Sequence, residues 1–332
     1  MSWERELEVG LAAVRRAAVA CRAVQSAMTP DVLKKQDKSP VTVADFASQA
    51  IICKALADAF PDDAVISEED AAALADPENA AFLDQILAQV NAAGLSASRS
   101  DLAKWIDHGS HESQPRRFWT LDPIDGTKGF LRKEQYAIAL ALIVDGEIEV
   151  AVLGCPNLPA KDAWDKQIGA VFTAIRGQGA LLHLLDDPQT DPQTVRASST
   201  RKSSQARLCE SVESGHSAHS ESACIAQALG IENEPVRLDS QAKYAVVARG
   251  EADIYLRLPT RADYHEKIWD HAAGVLVVHE AGGRVTDING KPLDFTRGSA
   301  LTENQGVIVT NGGLQDAVLA AVKTTRDGGQ IA

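Results

Sequence analysis

Leu121-Asp122-Pro123-Ile124-Asp125-Gly126-Thr127-Lys128-Gly129-Phe130 follows directly on the apolar residues Phe118-Trp119-Thr120. Phe118 to Leu121 reads as a short buried strand that stops at Asp122. Pro123 fixes its own φ and removes a backbone donor, and Gly126 allows a turn closed to other residues. Two carboxylates then share a stiff loop, with the Ile124 carbonyl between them and the Thr127 hydroxyl just beyond. Hard cations such as Mg²⁺ take oxygen ligands of this kind. Asp-x-x-Asp by itself also fits an ordinary strand-end turn with Asp as turn former. The rigid flanks and the carboxylates elsewhere in the chain favour a ligand loop.

Upstream, residues 3–27 space apolar side chains as an amphipathic helix. Residues 34–39 are polar and read as a loop. Val41-Thr42-Val43-Ala44-Asp45 leads into a second helix ended by Pro61-Asp62, with Thr42 or Asp45 as its cap. Ala64 to Ser67 is a short apolar strand, and the Glu68-Glu69-Asp70 run at its end holds its first carboxylate close to the sheet. Residues 71–105 read as helical, interrupted between Gly94 and Ser100. His108-Gly109-Ser110-His111-Glu112 invites a zinc reading. It has no companion Cys or His cluster, so a flexible surface loop fits better.

Downstream, Asp145-Gly146 and Gly177-Gln178-Gly179 each mark a hairpin between apolar strands. The polar stretch Asp186 to Thr194, with two prolines, is the expected domain boundary. Gly215-x-Ser217 has part of a nucleophile elbow, but His219 stands where the final Gly is required. Ala242 to Arg249 reads as a helix and Asp253 to Leu258 as a strand carrying Arg257. Ser240, Lys243 and Arg257 line one pocket if that helix returns over its sheet; singly, each suits a surface. Asp270 opens an apolar helix through Val278, where a first-turn carboxylate gains from the dipole or simply caps. Gly282-Gly283 stops that helix. A strand at Gly306 to Thr310, a helix from Leu314 to Val322 and a disordered tail complete the chain.

The 332 residues and formal charge of −13 suit two subdomains and exclude nucleic-acid polymers and anionic membranes as partners. They allow a small anionic substrate, because bound metal ions and a few basic residues can invert the field locally. The apolar run Tyr136 to Val144 is too short to span a bilayer, and the charged N-terminus shows no signal peptide. Five scattered cysteines without a C-x-x-C pair fit a reducing cytoplasm.

Glu68-Glu69, then Asp122 to Thr127, then Trp269-Asp270-His271-Ala272-Ala273-Gly274 resemble, in that order, the Mg²⁺-dependent, lithium-sensitive inositol monophosphatase superfamily. The likeness runs from Val41 to the Asn311-Gly312 region. Lys128-Gly129-Phe130-Leu131-Arg132, Gly215-His216-Ser217, Asp239-Ser240-Gln241-Ala242-Lys243-Tyr244 and Tyr255-Leu256-Arg257-Leu258-Pro259 are similar to its 3′(2′),5′-bisphosphate nucleotidase branch. Ser67 departs from the Gly common before the Glu pair, and the 107–117 loop lacks the usual glycines.

The resemblance implies an α/β (α+β) layered αβαβα sandwich in two subdomains, residues 1–190 and 191–325, with 326–332 as the tail and the cleft between them. It implies two or three Mg²⁺ ions on Glu68, Asp122, the Ile124 carbonyl, Asp125 and Asp270, with water activation by Asp45 and Thr127. Gly126 and Thr127 amides would meet phosphate, and His216, Ser240, Lys243, Arg257 and Asp270 the nucleotide. Lys243 and Arg257 suit a second phosphate away from the metals. The implied reaction is removal of the 3′-phosphate of 3′-phosphoadenosine 5′-phosphate, and of its 5′-phosphosulfate analogue, by a cytoplasmic monomer or small homo-oligomer in sulfur metabolism. The alternatives are an inositol (poly)phosphate 1-phosphatase or inositol monophosphatase and, in another class, a non-catalytic nucleotide or metal sensor.

Overall fold

A computed structural model describes residues 2–28, 39–70, 80–111, 114–160, 167–212, 219–261 and 263–328. Helices α1 (Glu4–Ala27) and α2 (Ser39–Ala59) lead to strand β1 (Ala64–Ser67), then α3 (Ala80–Ala92), α4 (Arg99–Asp107) and β2 (Arg117–Asp125). The short helix α5 (Thr127–Leu131) precedes β3 (Ala137–Val144), β4 (Glu147–Pro159), β5 (Ile168–Ile175), β6 (Gly179–Leu184) and β7 (Gln193–Val195). These seven strands form one sheet in sequence order. β1 runs parallel to β2, and every later neighbour is antiparallel.

The second half contributes β8 (Leu208–Glu210), α6 (His219–Ala228), β9 (Val236–Arg237), α7 (Ala242–Ala248), β10 (Ile254–Arg257), α8 (Ala272–Glu280), β11 (Arg284–Thr286), β12 (Val307–Thr310) and α9 (Gln315–Arg326). Its five strands are ordered β11-β12-β10-β8-β9.

Three apolar clusters fix the layers. Ile138, Leu140 and Leu142 of β3 pack toward α1 and α2. The alternate residues Ala137, Ala139 and Ala141 belong instead to the cluster with α7, α8 and one face of the second sheet. Period-two alternation sends large and small side chains to opposite faces, and small ones let a helix lie close. The other face of the second sheet packs Ile254 and Ile308 against Ile225 of α6 and Val318 of α9. The order is therefore helices, sheet, helices, sheet, helices, the expected αβαβα sandwich. The fit between α7 and α8 is tight: a Cβ on Gly274 would lie 2.4 Å from the Tyr244 ring.

Several expectations need correction. The second helix begins at Ser39, so Asp45 is inside it and is not a cap. β2 does not stop at Asp122 but continues to Asp125, with its register broken between those two residues. The 108–111 segment is pinned to β1, Ser67 N donating to Gly109 O at 2.9 Å and His111 N to Val65 O at 3.2 Å. Asp270 lies in a turn ahead of α8, not in its first turn. The first sheet takes in β7, just past the expected 190/191 boundary, and α8 of the second half covers that sheet. The last helix runs through Arg326, where a tail was expected. The tail's end at 329–332, the loop at 34–38 and the elbow-like 214–218 stretch lie outside the described residues.

Candidate active site

Parallel pairing of β1 with β2 decides the first half of the site. Ser67 is registered with Leu121, so the residues just beyond them, Glu68 and Asp122, emerge at the same sheet edge. Chain order alone leaves them far apart; a shared strand direction puts them side by side. The break in register before Asp125 turns Ile124 and Asp125 to the same edge, and Gly126 follows with φ of +89°. Gly126 faces Ser240, itself left-handed with φ of +67°. A Cβ at 126 would come within 2.9 Å of the Ser240 Cβ, so glycine serves both the turn and the close approach.

A buried face of α2 holds these loops in place. Ser48 Oγ donates to Pro123 O at 3.0 Å, and Gln49 Nε2 donates to Glu69 O at 2.8 Å. Asp45 shares that face at helical spacing and is buried with them. Ser48 and Gln49 were missed in the sequence; polar residues at i+3 and i+4 from Asp45 on an otherwise apolar helix were the available signal. Gln241 was missed too. Its backbone N–H donates to Asp125 Oδ2 at 2.5 Å, its side chain donates to Trp269 O at 2.9 Å, and its Oε1 accepts from Gly274 N at 3.1 Å. It thereby ties the Asp125 loop to the Asp270 turn.

Glu68, Asp122, Ile124, Asp125 and Asp270 line one cavity of about 200 Å³. Gly126, Thr127, Ser240, Lys243 and Arg257 line the same cavity. The condition set by the sequence is met: α7 returns over the second sheet and brings Ser240 and Lys243 to Arg257 at the end of β10. Lys243 and Arg257 are not away from the carboxylates, however. Arg257 Nη2 is 3.2 Å from Asp270 Oδ2, and both cations act on Asp125. Asp45 does not line the cavity but is buried close enough to feel Glu69 and Glu68. His216 lies outside the described residues.

The carboxylates crowd one another. Burial, then Asp270, Glu69 and Asp125, push Glu68 up to about 7. Burial, then Glu68, Asp125, Asp270 and Asp45, hold Asp122 well above the ordinary carboxylate range, and burial followed by Asp270 raises Asp125. Burial raises Asp45 as well. Glu68 and Asp122 lie close enough that each disfavours the charged form of the other. One oxygen of Asp122 and one of Asp45 are buried with no hydrogen-bond partner. An all-oxygen donor set, mutual repulsion and orphaned oxygens fit a hard divalent cation. Burial lowers the Lys243 ammonium, whose Nζ lies 5.2 Å over the Tyr255 ring.

Among the described residues, the one tight trio of ligand-type side chains is Glu266, Asp270 and His271, with ligand atoms within 4.8 Å of one another. Its centre is claimed by protein. Arg257 Nη2 lies 2.6 Å from Glu266 Oε2, and His271 Nε2 is 3.3 Å from the same oxygen. Burial pushes Glu266 up, but His271 and Arg257 outweigh it and hold the carboxylate down at about 2. Among the described residues, no cluster with zinc-ligand character forms around His108. No helix among the described residues is long and apolar enough to cross a membrane.

The sequence pattern of the inositol monophosphatase family matches residues 5–326. The chain is 43% identical to a 3′(2′),5′-bisphosphate nucleotidase of Emericella nidulans, over 97% of this chain and 99% of that one. It is 43% identical to 3′(2′),5′-bisphosphate nucleotidase 1 of Arabidopsis thaliana, over 97% of each. The fold matches the inositol monophosphatase of Anabaena sp. PCC 7120 with a TM-score of 0.64 at 20% identity, covering 98% of this chain and 97% of that one. The chain belongs to the inositol monophosphatase family, in its 3′(2′),5′-bisphosphate nucleotidase branch.

Proposed function

We propose that this chain is a Mg²⁺-dependent phosphatase that removes the 3′-phosphate of 3′-phosphoadenosine 5′-phosphate, giving AMP and phosphate. One observation carries the reading: a single cavity is lined by Glu68, Asp122, Asp125 and Asp270 together with Ser240, Lys243 and Arg257. The first set suits cations, and the second suits a further anionic group that a simple monoester lacks. The relatives named 3′(2′),5′-bisphosphate nucleotidase support the same substrate class.

Glu68, Asp122, the Ile124 carbonyl, Asp125 and Asp270 would hold two or three Mg²⁺ ions. When bound, Mg²⁺ neutralises phosphoryl oxygens, acidifies the attacking water and stabilises the leaving oxygen. Thr127, exposed at the start of α5, orients that water and passes its proton toward Glu68. Asp45 would help to hold that water. The water oxygen bonds to phosphorus as the P–O3′ bond breaks, and AMP leaves with the nucleoside oxygen. No covalent nucleophile takes part. Gly126 and Thr127 amides meet the phosphate, while Ser240, Lys243 and Arg257, with His216, grip the nucleotide. The reaction suits a cytoplasmic protein, and the 5′-phosphosulfate analogue is a second substrate.

Phosphate release tests this directly. With Mg²⁺, 3′-phosphoadenosine 5′-phosphate is expected to be turned over well ahead of inositol 1-phosphate, inositol 1,4-bisphosphate and fructose 1,6-bisphosphate, and lithium is expected to suppress release. A preference for any inositol phosphate would reverse the assignment, and nucleotide binding without release would indicate a sensor. Arg257→Ala should raise KM for the bisphosphate more than for a simple phosphomonoester. Equal effects on the two would count against a second-phosphate contact.

A further inference from the structure

Arg257 raises a difficulty for a metal site. It is a fixed cation whose Nη2 sits 3.2 Å from Asp270, one of the carboxylates that would hold the ion. A guanidinium and a divalent cation compete for the same lone pairs. What keeps the arginine from taking Asp270 altogether is a second carboxylate. The same Nη2 is closer to Glu266, at 2.6 Å. Glu266 is buried and anchored in turn by His271 Nε2 at 3.3 Å. His271 is wholly buried, with Nδ1 2.6 Å from the Tyr244 hydroxyl, and the Tyr244 ring is wedged against Gly274. His271 adjoins Asp270 in the chain, so one network fixes both the arginine's preferred partner and the turn that presents Asp270.

We propose that Glu266 is a positioning residue for metal binding: it draws the Arg257 guanidinium toward itself and so leaves Asp270 available to the cation. This rests on the reading of Asp270 as a metal ligand. Without the Glu266 charge, Arg257 keeps a single carboxylate partner, and its whole attraction falls on Asp270. The metal must then displace a full ion pair. The compact Glu266–Asp270–His271 trio is, on this account, an arginine clamp and not a second metal site.

Direct Mn²⁺ binding to the full chain, read by calorimetry and by loss of the free-ion electron paramagnetic resonance signal, separates these ideas. Glu266→Gln keeps an acceptor for His271 and removes the charge. It should weaken Mn²⁺ binding by about 10–100-fold, the usual cost of losing an outer-shell partner. The double variant Arg257→Met with Glu266→Gln removes the competitor as well and should return affinity toward wild type. If Glu266 were itself a ligand, or only a structural support, the double variant would stay as weak as the single one, and the proposal would fail. It also fails if Glu266→Gln binds Mn²⁺ as tightly as wild type. Should Glu266→Gln not fold, Glu266→Asp, whose shorter reach loosens the same hold, should show a smaller loss that Arg257→Met again reverses. A wild-type chain that binds no Mn²⁺ would instead overturn the metal reading of the cavity itself.

Discussion

Asp125→Asn is expected to cut phosphate release by more than about 100-fold while the protein stays folded. Loss of an outer-shell partner already costs about 10–100-fold in metal-site function, and Asp125 would be a direct ligand. The fold should survive because the folded chain already disfavours the charged form of Asp125, through burial and the proximity of Asp270. Asn is nearly isosteric, removes that repulsion and can still accept the Gln241 N–H. Circular dichroism and thermal melting would check the fold, and turnover with Mg²⁺ would check the chemistry. Near wild-type turnover in a folded variant would remove Asp125 from the metal set.

Withdrawing divalent cations should abolish turnover, and it should also leave a protein with an inverted dependence on pH. Folding raises Glu68 from 4.5 to about 7 and raises Asp122, Asp125 and Asp45 in the same direction. A group with a raised folded pKa binds its proton more tightly in the native state. Its contribution is complete below 4.5 and is lost as pH rises through about 7. Metal-free protein is therefore expected to melt higher near about pH 5 than near about pH 8. Asp253 and Asp294 are held below their ordinary 3.8 and titrate beneath that window, while His183, pushed down to about 4 by burial, and His108 and His279, lowered likewise, oppose the trend within it against the four raised carboxylates. Mg²⁺ prefers the ionised carboxylates, so the rise in melting temperature it produces should grow across the same interval. Melting curves with chelator and with MgCl₂ at the two pH values measure both. A metal-free chain more stable at the higher pH, or a Mg²⁺ increment independent of pH, would contradict the carboxylate cluster.

Much of the site was legible because its residues come in stiff local motifs. Asp122 to Thr127 is a strand end with Pro and Gly, Glu68 follows a four-residue apolar strand, and Asp270 precedes an apolar helix. What could not be read locally was who holds them. Ser48, Gln49 and Gln241 act through contacts to segments distant in the chain. Glu266 carries no motif at all, and its importance comes from one 2.6 Å approach to Arg257. The place of Asp45 inside a helix was likewise hidden, because helix starts are set by packing as much as by capping residues.

By itself the sequence determined the alternation of apolar strands and helices, the acidic loops and the family, since each depends on neighbours within a few residues. Only the tertiary structure decided that Glu68 and Asp122 stand at one sheet edge, that Lys243 and Arg257 share the carboxylates' cavity, and that the two halves bury a common core around α8. Those outcomes depend on strand direction, register and the return of one helix over a sheet. Such arrangements gain their free energy from burying surfaces far apart in the chain, and no short stretch of residues encodes them.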